Sequence, residues 1–232
     1  EWVSNTLLNI SAALFDRGEL DKALENALKA YEIKKKLTGG NKMHLASLIT
    51  NIAAIYLNQK QYEKSIEYSL EAKKLFREIN SIDGVANSEL NSALAYVELK
   101  KYDKAEEAYL KSIKLYGDIK YKPGLRDAYL YYGIMNRKRN LPVKALDYLN
   151  TALVMSNELK DSLMFAKIYG EQALVYEFRG DYKKAYEAQK KWSEAYTFSV
   201  EKLNSRKLLE AEARFGGKQK ELENIALRKE NE

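Results

Sequence analysis

Apolar and polar residues alternate along most of this chain with the spacing of an amphipathic helix. In one stretch, apolar side chains recur at three- and four-residue intervals, as at Ile49, Ile52 and Tyr56, which is the pattern of a helix with one buried face. Short turn sequences such as NQKQ and RGD separate such stretches. The pattern predicts a helix A over about residues 42–57 and an antiparallel helix B over about residues 62–79.

This helical pattern occurs five times. The stretch LNQKQYEKSIEYSLEAKKLF begins at residue 57, and related stretches begin at residues 15, 97, 137 and 177, at spacings of 42, 40, 40 and 40. A fixed period of this length indicates a solenoid of stacked units, because one helix pair cannot bury its apolar face alone. The predicted fold is an all-α superhelix (solenoid) of five helix pairs with a charged C-terminal helix. The predicted units cover about residues 4–40, 41–80, 81–120, 121–160 and 161–200.

Small residues recur at fixed positions of these units. A large side chain there would hold the two helices of a pair apart, whereas a small one lets their ridges and grooves interlock. On helix A they are Ser11, Ala53, Ala93, Gly133 and Ala173, and on helix B they are Ala23, Ser65, Ala105, Ala145 and Ala185.

The small residues, and the large residues three positions from them, resemble the tetratricopeptide repeat family. A third small position of that family is matched by Ala30, Ala72, Ser112 and Ala152. The fifth unit has Trp192 there, as expected where no ordinary unit follows. Asn136 and Pro142 replace large residues of the pattern, so we expect the fourth unit to pack less regularly. The 40-residue period exceeds the usual 34 of the family, which predicts helices about one turn, or about 5 Å, longer.

Composition narrows the functional classes. Cysteine is absent, which excludes disulfides, thiolate metal sites and cysteine nucleophiles. The net charge of +6 comes from 39 basic and 33 acidic residues that are interspersed, which is typical of solvated helix surfaces rather than of a nucleic-acid-binding stripe. The sequence contains no apolar stretch of the roughly 20 residues that a membrane span needs.

The sequence predicts a protein that is not an enzyme. It has no phosphate-binding glycine loop, zinc-protease motif or nucleophile elbow, and its one histidine, His44, has no partner motif. We therefore expect no catalytic residues, no metal site and no cofactor.

The resemblance implies a ligand groove on the concave face that the A helices line. Residues two positions before the first small residue point into this groove. Three of them are asparagines, whose amide matches the N–H and C=O of a peptide backbone. The alternative is that each asparagine bonds a nearby backbone group or faces water. The positions of this predicted ladder are Asn9, Asn51, Asn91, Tyr131 and Glu171.

Further groove positions follow the same register. Arg137, Lys138 and Lys167 predict a basic patch for a ligand carboxylate, with ordinary solvated charge as the alternative. The chaperone-tail clamp is not expected, because its lysine position holds Leu8, Thr50, Leu90 and Leu130. Four residues before the ladder lie Asn5, Ser47, Asn87, Asp127 and Lys167, and seven after it lie Asp16, Asn58, Glu98, Lys138 and Phe178.

Residues 201–232 break the repeat and form a charged tail. They resemble the segment that ends the repeat array of bacterial sensors, in which a membrane helix and then a histidine kinase or helix-turn-helix domain follow. Gly216 and Gly217 depart from that pattern and predict a hinge. The alternative is a capping helix with a disordered charged end. The matching residues are Leu209, Glu210, Phe215, Lys218, Lys220, Glu221 and the run 222–227.

The predicted function is protein or peptide binding, in the extracytoplasmic signal-input part of a bacterial signal-transduction protein. The first residue is Glu rather than Met, so we expect a fragment whose membrane contact lies outside it, with a possible homodimer contact in the C-terminal helix. No nucleic-acid partner is expected. The alternative is a stand-alone cytosolic scaffold or peptide-pheromone receptor; a periplasmic location is favoured and a cytoplasmic one is the alternative.

Overall fold

The helices follow the predicted pairs. The computed structural model describes residues 2–36 and 41–205, and the regular secondary structure within these residues is entirely α-helical. This confirms an all-α fold of successive packed helix pairs. The helices are α1 (Trp2–Asp16), α2 (Leu20–Lys36), α3 (Lys42–Asn58), α4 (Tyr62–Glu78), α5 (Ile82–Glu98), α6 (Tyr102–Asp118), α7 (Lys122–Lys138), α8 (Pro142–Glu158) and α9 (Ser162–Phe178), followed by α10 at residues 182–205.

The predicted C-terminal tail is represented only by its first residues. Residues 201–205 continue α10 without a break. The sensor-like residues, the double glycine and the predicted hinge all lie beyond position 205, outside the described residues.

The period of 40 arises from two equal halves of 20 residues. The helices α2 to α9 each have 17 residues, and three-residue turns join them from α3 onward. Each turn contains one residue in the left-handed region, such as Lys100 with φ 57°. The next amide closes the helix end, as when the Lys101 N–H donates to the Tyr96 carbonyl at 2.9 Å. From Lys60 onward these positions are 20 residues apart: Lys60, Asn80, Lys100, Lys120, Asn140, Lys160 and Gly180.

Small residues lie at the contact between the helices in the first and fourth pairs. The Ser11 hydroxyl donates to the Ala23 carbonyl at 2.8 Å, which joins the two small positions of the first pair directly. A Cβ added to Gly133 would lie 3.0 Å from Cγ of Leu149 and 3.2 Å from the carbonyl oxygen of Ala145. Small side chains at these positions therefore set the helix separation.

The fourth unit has helices and a turn of the same length as the second and third units, and its less regular packing stays a prediction. Both of its helices have 17 residues, and Asn140 adopts the usual left-handed turn. Pro142 is the first residue of α8, where a helix does not use the missing N–H. Asn136 is fully buried and donates to the Tyr132 carbonyl at 2.8 Å. Its side-chain oxygen has no partner among the described residues.

The chain divides into two compact units, one ending at Met155 and one beginning at Ser156. The core of the first unit includes Ile49, Ile52 and Phe76. In the second unit, a Cβ on Gly170 would lie 3.2 Å from the Trp192 ring, so glycine on α9 accommodates the tryptophan that replaces a small residue. The exposed aromatic residues of α10 are Tyr182, Tyr186, Tyr196 and Phe198.

Candidate functional site

The A helices α3, α5 and α7 of the first unit lie side by side. Helices α3 and α5 contact each other directly, as do α5 and α7. Because the repeat period is 40 residues, equivalent residues of α3, α5 and α7 lie next to one another at the same level along the helices. We call the surface of α1, α3, α5 and α7 that includes the predicted groove positions the A-helix face.

A cavity of about 370 Å³ opens on this face, and predicted groove positions line it. Ser47 on α3, Asn87 on α5 and Asp127 on α7 occupy the same register position in three successive repeats. Asn51, one helical turn after Ser47, lines the cavity as well. The sequence thus predicted three equivalent positions that the structure brings together.

Phe76, Tyr116 and Tyr121 supply the aromatic rings of the cavity wall, and sequence reasoning missed the role of the first two. Phe76 on α4 lies over Gly84 on α5, where an added Cβ would come 2.2 Å from the ring. Tyr116 on α6 lies over Gly124 on α7 in the same way, at 2.5 Å. No real Cβ tolerates such distances, so glycine is required for each ring to occupy its position. The sequence does contain this signal. In both pairs the glycine follows the aromatic residue by eight positions, and the second pair follows the first by 40.

The charged side chains that line the cavity are both acidic. The Asp83 carboxylate accepts a hydrogen bond from the Ser81 hydroxyl at 2.6 Å. The Asp127 carboxylate accepts from Nη2 and Nε of Arg126 at 2.9 and 3.0 Å. Burial raises the pKa of Tyr116 well above its ordinary value, so this hydroxyl remains a neutral hydrogen-bonding group at physiological pH. The cavity therefore offers amides, hydroxyls, carboxylates and aromatic rings.

A second, smaller cavity on the same face continues toward α1. Its volume is about 120 Å³, and its lining includes Phe15, Asp16 and Ile55. Asn51 lines both cavities, so its amide lies between them. Of the predicted ladder residues that the structure describes, Asn51 is the one that reaches these cavities.

The remaining ladder residues are distributed over two units. Asn9 is exposed, while Asn91 and Tyr131 are half-buried. Glu171 lies on α9 in the second unit, as does Lys167. Their part in ligand binding stays a prediction.

The predicted basic patch is partly neutralised within the protein. Nζ of Lys138 lies 2.5 Å from the Glu98 carboxylate, which joins two equivalent positions of α7 and α5. Arg137 is half-buried and has partners of its own. Asn58 donates its amide to the Ala54 carbonyl at 2.8 Å. Lys167 lies on α9 in the second unit, and the carboxylate site of Arg137, Lys138 and Lys167 stays a prediction.

A third cavity, of about 470 Å³, lies against the B helices α4 and α6. Its lining includes Arg77, Lys111, Lys114 and Leu115. Phe76 lines both this cavity and the one on the A-helix face, so its ring lies between them. Its lining mixes basic, acidic and apolar side chains, and none of its residues was predicted to bind a ligand.

The described residues contain no metal-binding arrangement and no membrane-length helix. No group of three or more His, Asp or Glu side chains converges within residues 2–36 and 41–205. None of the described helices combines the length and the apolar character needed to cross a bilayer.

The chain belongs to the tetratricopeptide repeat family. The family model, a tetratricopeptide repeat, matches residues 2–78 and 44–118, which together cover half of the 232 residues. A search of curated protein sequences found no match.

Solved structures share the fold at low sequence identity. BtubC (BKLC) from P. vanneervenii is 16% identical with a TM-score of 0.70, over 84% of this chain and 80% of that one. A Rap protein complexed with Competence and Sporulation Factor is 16% identical with a TM-score of 0.76, over 82% of this chain and 53% of that one. The Rap conjugation gene regulator of plasmid pLS20, in complex with the Phr* peptide, is 15% identical with a TM-score of 0.74, over 83% and 53%. The chain thus spans about half the length of the two Rap proteins.

Proposed function

We propose that the A-helix face binds an extended peptide, either free or as a segment of a partner protein. One observation carries this proposal: Ser47, Asn87 and Asp127, predicted from register alone, line one cavity with Asn51. A peptide backbone needs donors and acceptors at regular intervals, and repeat-spaced polar side chains supply them.

The chemistry of the cavity suits a peptide rather than a reaction. Its volume of about 370 Å³ is at the lower end of the size of small-ligand sites, which is enough for a few side chains. Phe76 and Tyr116 supply apolar contact, and the Asn51 and Asn87 amides supply directional hydrogen bonds. We propose a binding role without catalysis.

Two structural relatives support a peptide ligand. The Rap proteins described above were solved with a bound factor or peptide, and their repeat fold resembles this one at TM-scores of 0.76 and 0.74. They favour a peptide-pheromone receptor, which was the alternative interpretation of the sequence.

The test is retention of synthetic peptides by the purified chain. A pool of dye-labelled pentapeptides of randomised sequence is passed over immobilised protein, and the retained peptides are sequenced and titrated by fluorescence anisotropy. Loss of one backbone hydrogen bond should weaken binding about fivefold to tenfold for Asn51→Ala or Asn87→Ala, since such a bond contributes about 1 kcal/mol.

Asn26→Ala is the matched control. The Asn26 amide donates to the Lys22 carbonyl of its own helix α2 at 2.8 Å, so its removal should leave the affinity unchanged. Equal affinity of the Asn51→Ala, Asn87→Ala and wild-type proteins would remove the A-helix face from the binding site. Failure of the protein to retain any peptide would contradict the proposed function.

The wider role that we propose is signal input for a bacterial signal-transduction protein, with an extracytoplasmic location favoured. It rests on the resemblance of the tail, whose residues 206–232 lie outside the described residues. The open reading frame tests it: a hydrophobic segment of roughly 20 residues soon after position 232 supports a membrane sensor. A stop codon there would instead favour the stand-alone receptor or scaffold.

A further inference from the structure

The cavity of about 470 Å³ against α4 and α6 lies outside the A-helix face, and we call it the B-helix cavity. Its volume falls within the range of about 300–1,000 Å³ that small-molecule sites enclose. Ile82, Val85 and Leu115 belong to its apolar lining. Ile82 is 44% exposed, so an apolar group that entered the cavity would remove exposed apolar surface from water.

Three basic residues line the same cavity: Arg77 of α4 and Lys111 and Lys114 of α6. Nζ of Lys111 lies 2.5 Å from the Glu107 carboxylate, in a pair whose side chains are both more than half exposed. An exposed pair of this kind is weak, so Lys111 can turn toward a bound anion at little cost.

The acidic residues of the lining do not cancel this charge. Glu89 is 5% exposed, and its carboxylate accepts a hydrogen bond from Nζ of Lys73 on α4 at 3.2 Å. The Lys73 charge offsets that of Glu89. Asp118 is then the acidic residue of the lining that stands against three basic ones, so the cavity has an excess of positive charge.

The repeat itself requires neither the basic residues nor the buried carboxylate. The next junction has helices of the same 17-residue length, although neutral residues stand at the positions equivalent to the three basic ones. These neutral residues are Gly117, Thr151 and Val154. The equivalents of Glu89 on the other A helices are Leu7, Ile49, Tyr129 and Tyr169. The charges are therefore particular to this cavity rather than part of the frame.

We propose that the B-helix cavity binds a small organic anion that has an apolar body and one carboxylate or phosphate head group. The guanidinium group of Arg77 has the planar geometry that pairs with either head group, and Lys111 and Lys114 add charge beside it. The apolar body would pack against residues such as Ile82 and Leu115. This site is separate from the peptide site on the A-helix face and does not rest on the proposed function.

Four probes separate the contributions of the head group and the body. Naphthoate, naphthyl phosphate and the neutral naphthamide share one apolar body, and inorganic phosphate supplies charge without that body. In isothermal titration calorimetry, one of the two naphthyl anions should bind the purified chain at least about tenfold more tightly than naphthamide and inorganic phosphate, since charge-assisted hydrogen bonds are about twice as strong as neutral ones. The tighter of the two anions identifies the head group.

Variants taken from the chain's own next junction connect this preference to the cavity. The double variant Lys111→Thr, Lys114→Val introduces the residues that stand at the equivalent positions of α8, so helix α6 should form normally. It should bind the preferred naphthyl anion at least about tenfold more weakly and bind naphthamide as the wild type does. Lys114→Gln is the second variant if the double variant does not fold.

Lys29→Thr is the matched control. Lys29 on α2 is the equivalent of Lys111 two repeats earlier, and it pairs with Glu25 at 2.6 Å as Lys111 does with Glu107. This variant removes the same charge and the same kind of exposed pair away from the cavity, so the affinity for the anion should not change.

The proposal is overturned if the naphthyl anions and naphthamide bind the wild type equally, or if the preference persists in the folded Lys111 and Lys114 variants. NMR shifts at Asn51 and Asn87 with none at Leu115 would also overturn it, because they would place the anion on the A-helix face. Each of these results leaves the peptide-binding proposal to its own test.

Discussion

The junctions between successive repeats of the first unit share a backbone but differ in chemistry. At the α4–α5 and α6–α7 junctions, an aromatic ring lies against a glycine, as Phe76 does on Gly84. At the α2–α3 junction, the equivalent residues are Lys34 and His44. Lys34 is buried and donates to Oδ1 of the exposed Asn5, whereas His44 is exposed.

This difference indicates that the spacing of the helices and the chemistry of the A-helix face are set by separate residues. Small residues such as Ala23 and Ala105 are fully buried in both regions, so they fix the spacing of the helices everywhere. The position that Phe76 and Tyr116 occupy on helix B then varies without changing that frame. At this position of helix B, Phe76 and Tyr116 form part of a cavity wall, whereas Lys34 carries a positive charge.

The largest expected effect on stability comes from replacing the glycine at an aromatic junction by alanine. In Gly84→Ala, the new Cβ would lie 2.2 Å from the Phe76 ring, so the ring must leave its place, at a cost of about 1–3 kcal/mol. Thermal or urea unfolding measures the loss. The double variant Gly84→Ala, Phe76→Leu should recover part of it.

Gly117→Ala is the control for this change. A Cβ at Gly117 of α6 meets nothing within 4 Å, and alanine is favoured over glycine inside a helix by up to about 1 kcal/mol. We therefore expect this variant to be more stable than wild type. Destabilisation of Gly117→Ala to the same extent as Gly84→Ala would show that the ring contact is not the cause.

Alkaline pH should distinguish the two aromatic junctions. Burial holds the pKa of Tyr116 above the ordinary value of about 10, while Phe76 does not titrate. A raised pKa in the folded state leaves stability intact below about pH 10, where unfolded tyrosine is protonated, and lowers it as the pH rises further. The loss is at most about 1.4 kcal/mol per pH unit for one group.

Urea unfolding of the wild type and Tyr116→Phe at pH 8 and pH 11 measures this effect. The variant should lose less stability than the wild type over this interval. Other tyrosines remain sensitive in both proteins, since burial also raises the pKa of Tyr68 to about 12. An identical loss in the two proteins would contradict the assignment to Tyr116.

A smaller effect is expected at the lysine junction in the absence of ligand. Replacing Lys34 by Met keeps the length of the side chain and removes a buried charge whose partner among the described residues is the neutral Asn5. The unliganded protein should gain about 1 kcal/mol, since well-packed apolar replacements of buried charges are often stabilising. A loss of stability, measured by thermal unfolding, would mean that the bond to Asn5 has a structural role.

The smallest effect is expected at the turns, which both kinds of junction share. Lys100 has a φ of 57°, a conformation that glycine adopts without strain. Lys100→Gly should stabilise the protein by about 0.5–1 kcal/mol. Lys114→Gly, inside helix α6, should instead destabilise it by about 1 kcal/mol, and equal effects at the two sites would contradict the role of the turn.

The pairing and spacing of the helices were predictable from sequence because they depend on the small size of particular residues. The small residues at Ala53, Ala105 and Gly133 recur at a fixed period, and they specify the pairing of the helices. The helix B boundary was placed one residue late, at 79 rather than Glu78. Helix ends of this kind are set by the turn conformation rather than by apolar periodicity.

The site was only partly predictable. Ser47, Asn87 and Asp127 were found because the groove positions follow the register. The rings of Phe76 and Tyr116 were missed because both lie on helix B, whereas the groove positions were sought on helix A, and their glycines are recognisable only as pairs.

The most direct test of peptide binding at the A-helix face is an NMR titration of the side-chain amides. The titrant is the tightest pentapeptide recovered from the randomised pool. The account predicts that the side-chain amide signals of Asn51 and Asn87 shift on binding, while that of Asn26 does not. Unchanged Asn51 and Asn87 signals, with shifts confined to residues such as Lys111 and Leu115 of the B-helix cavity, would contradict it.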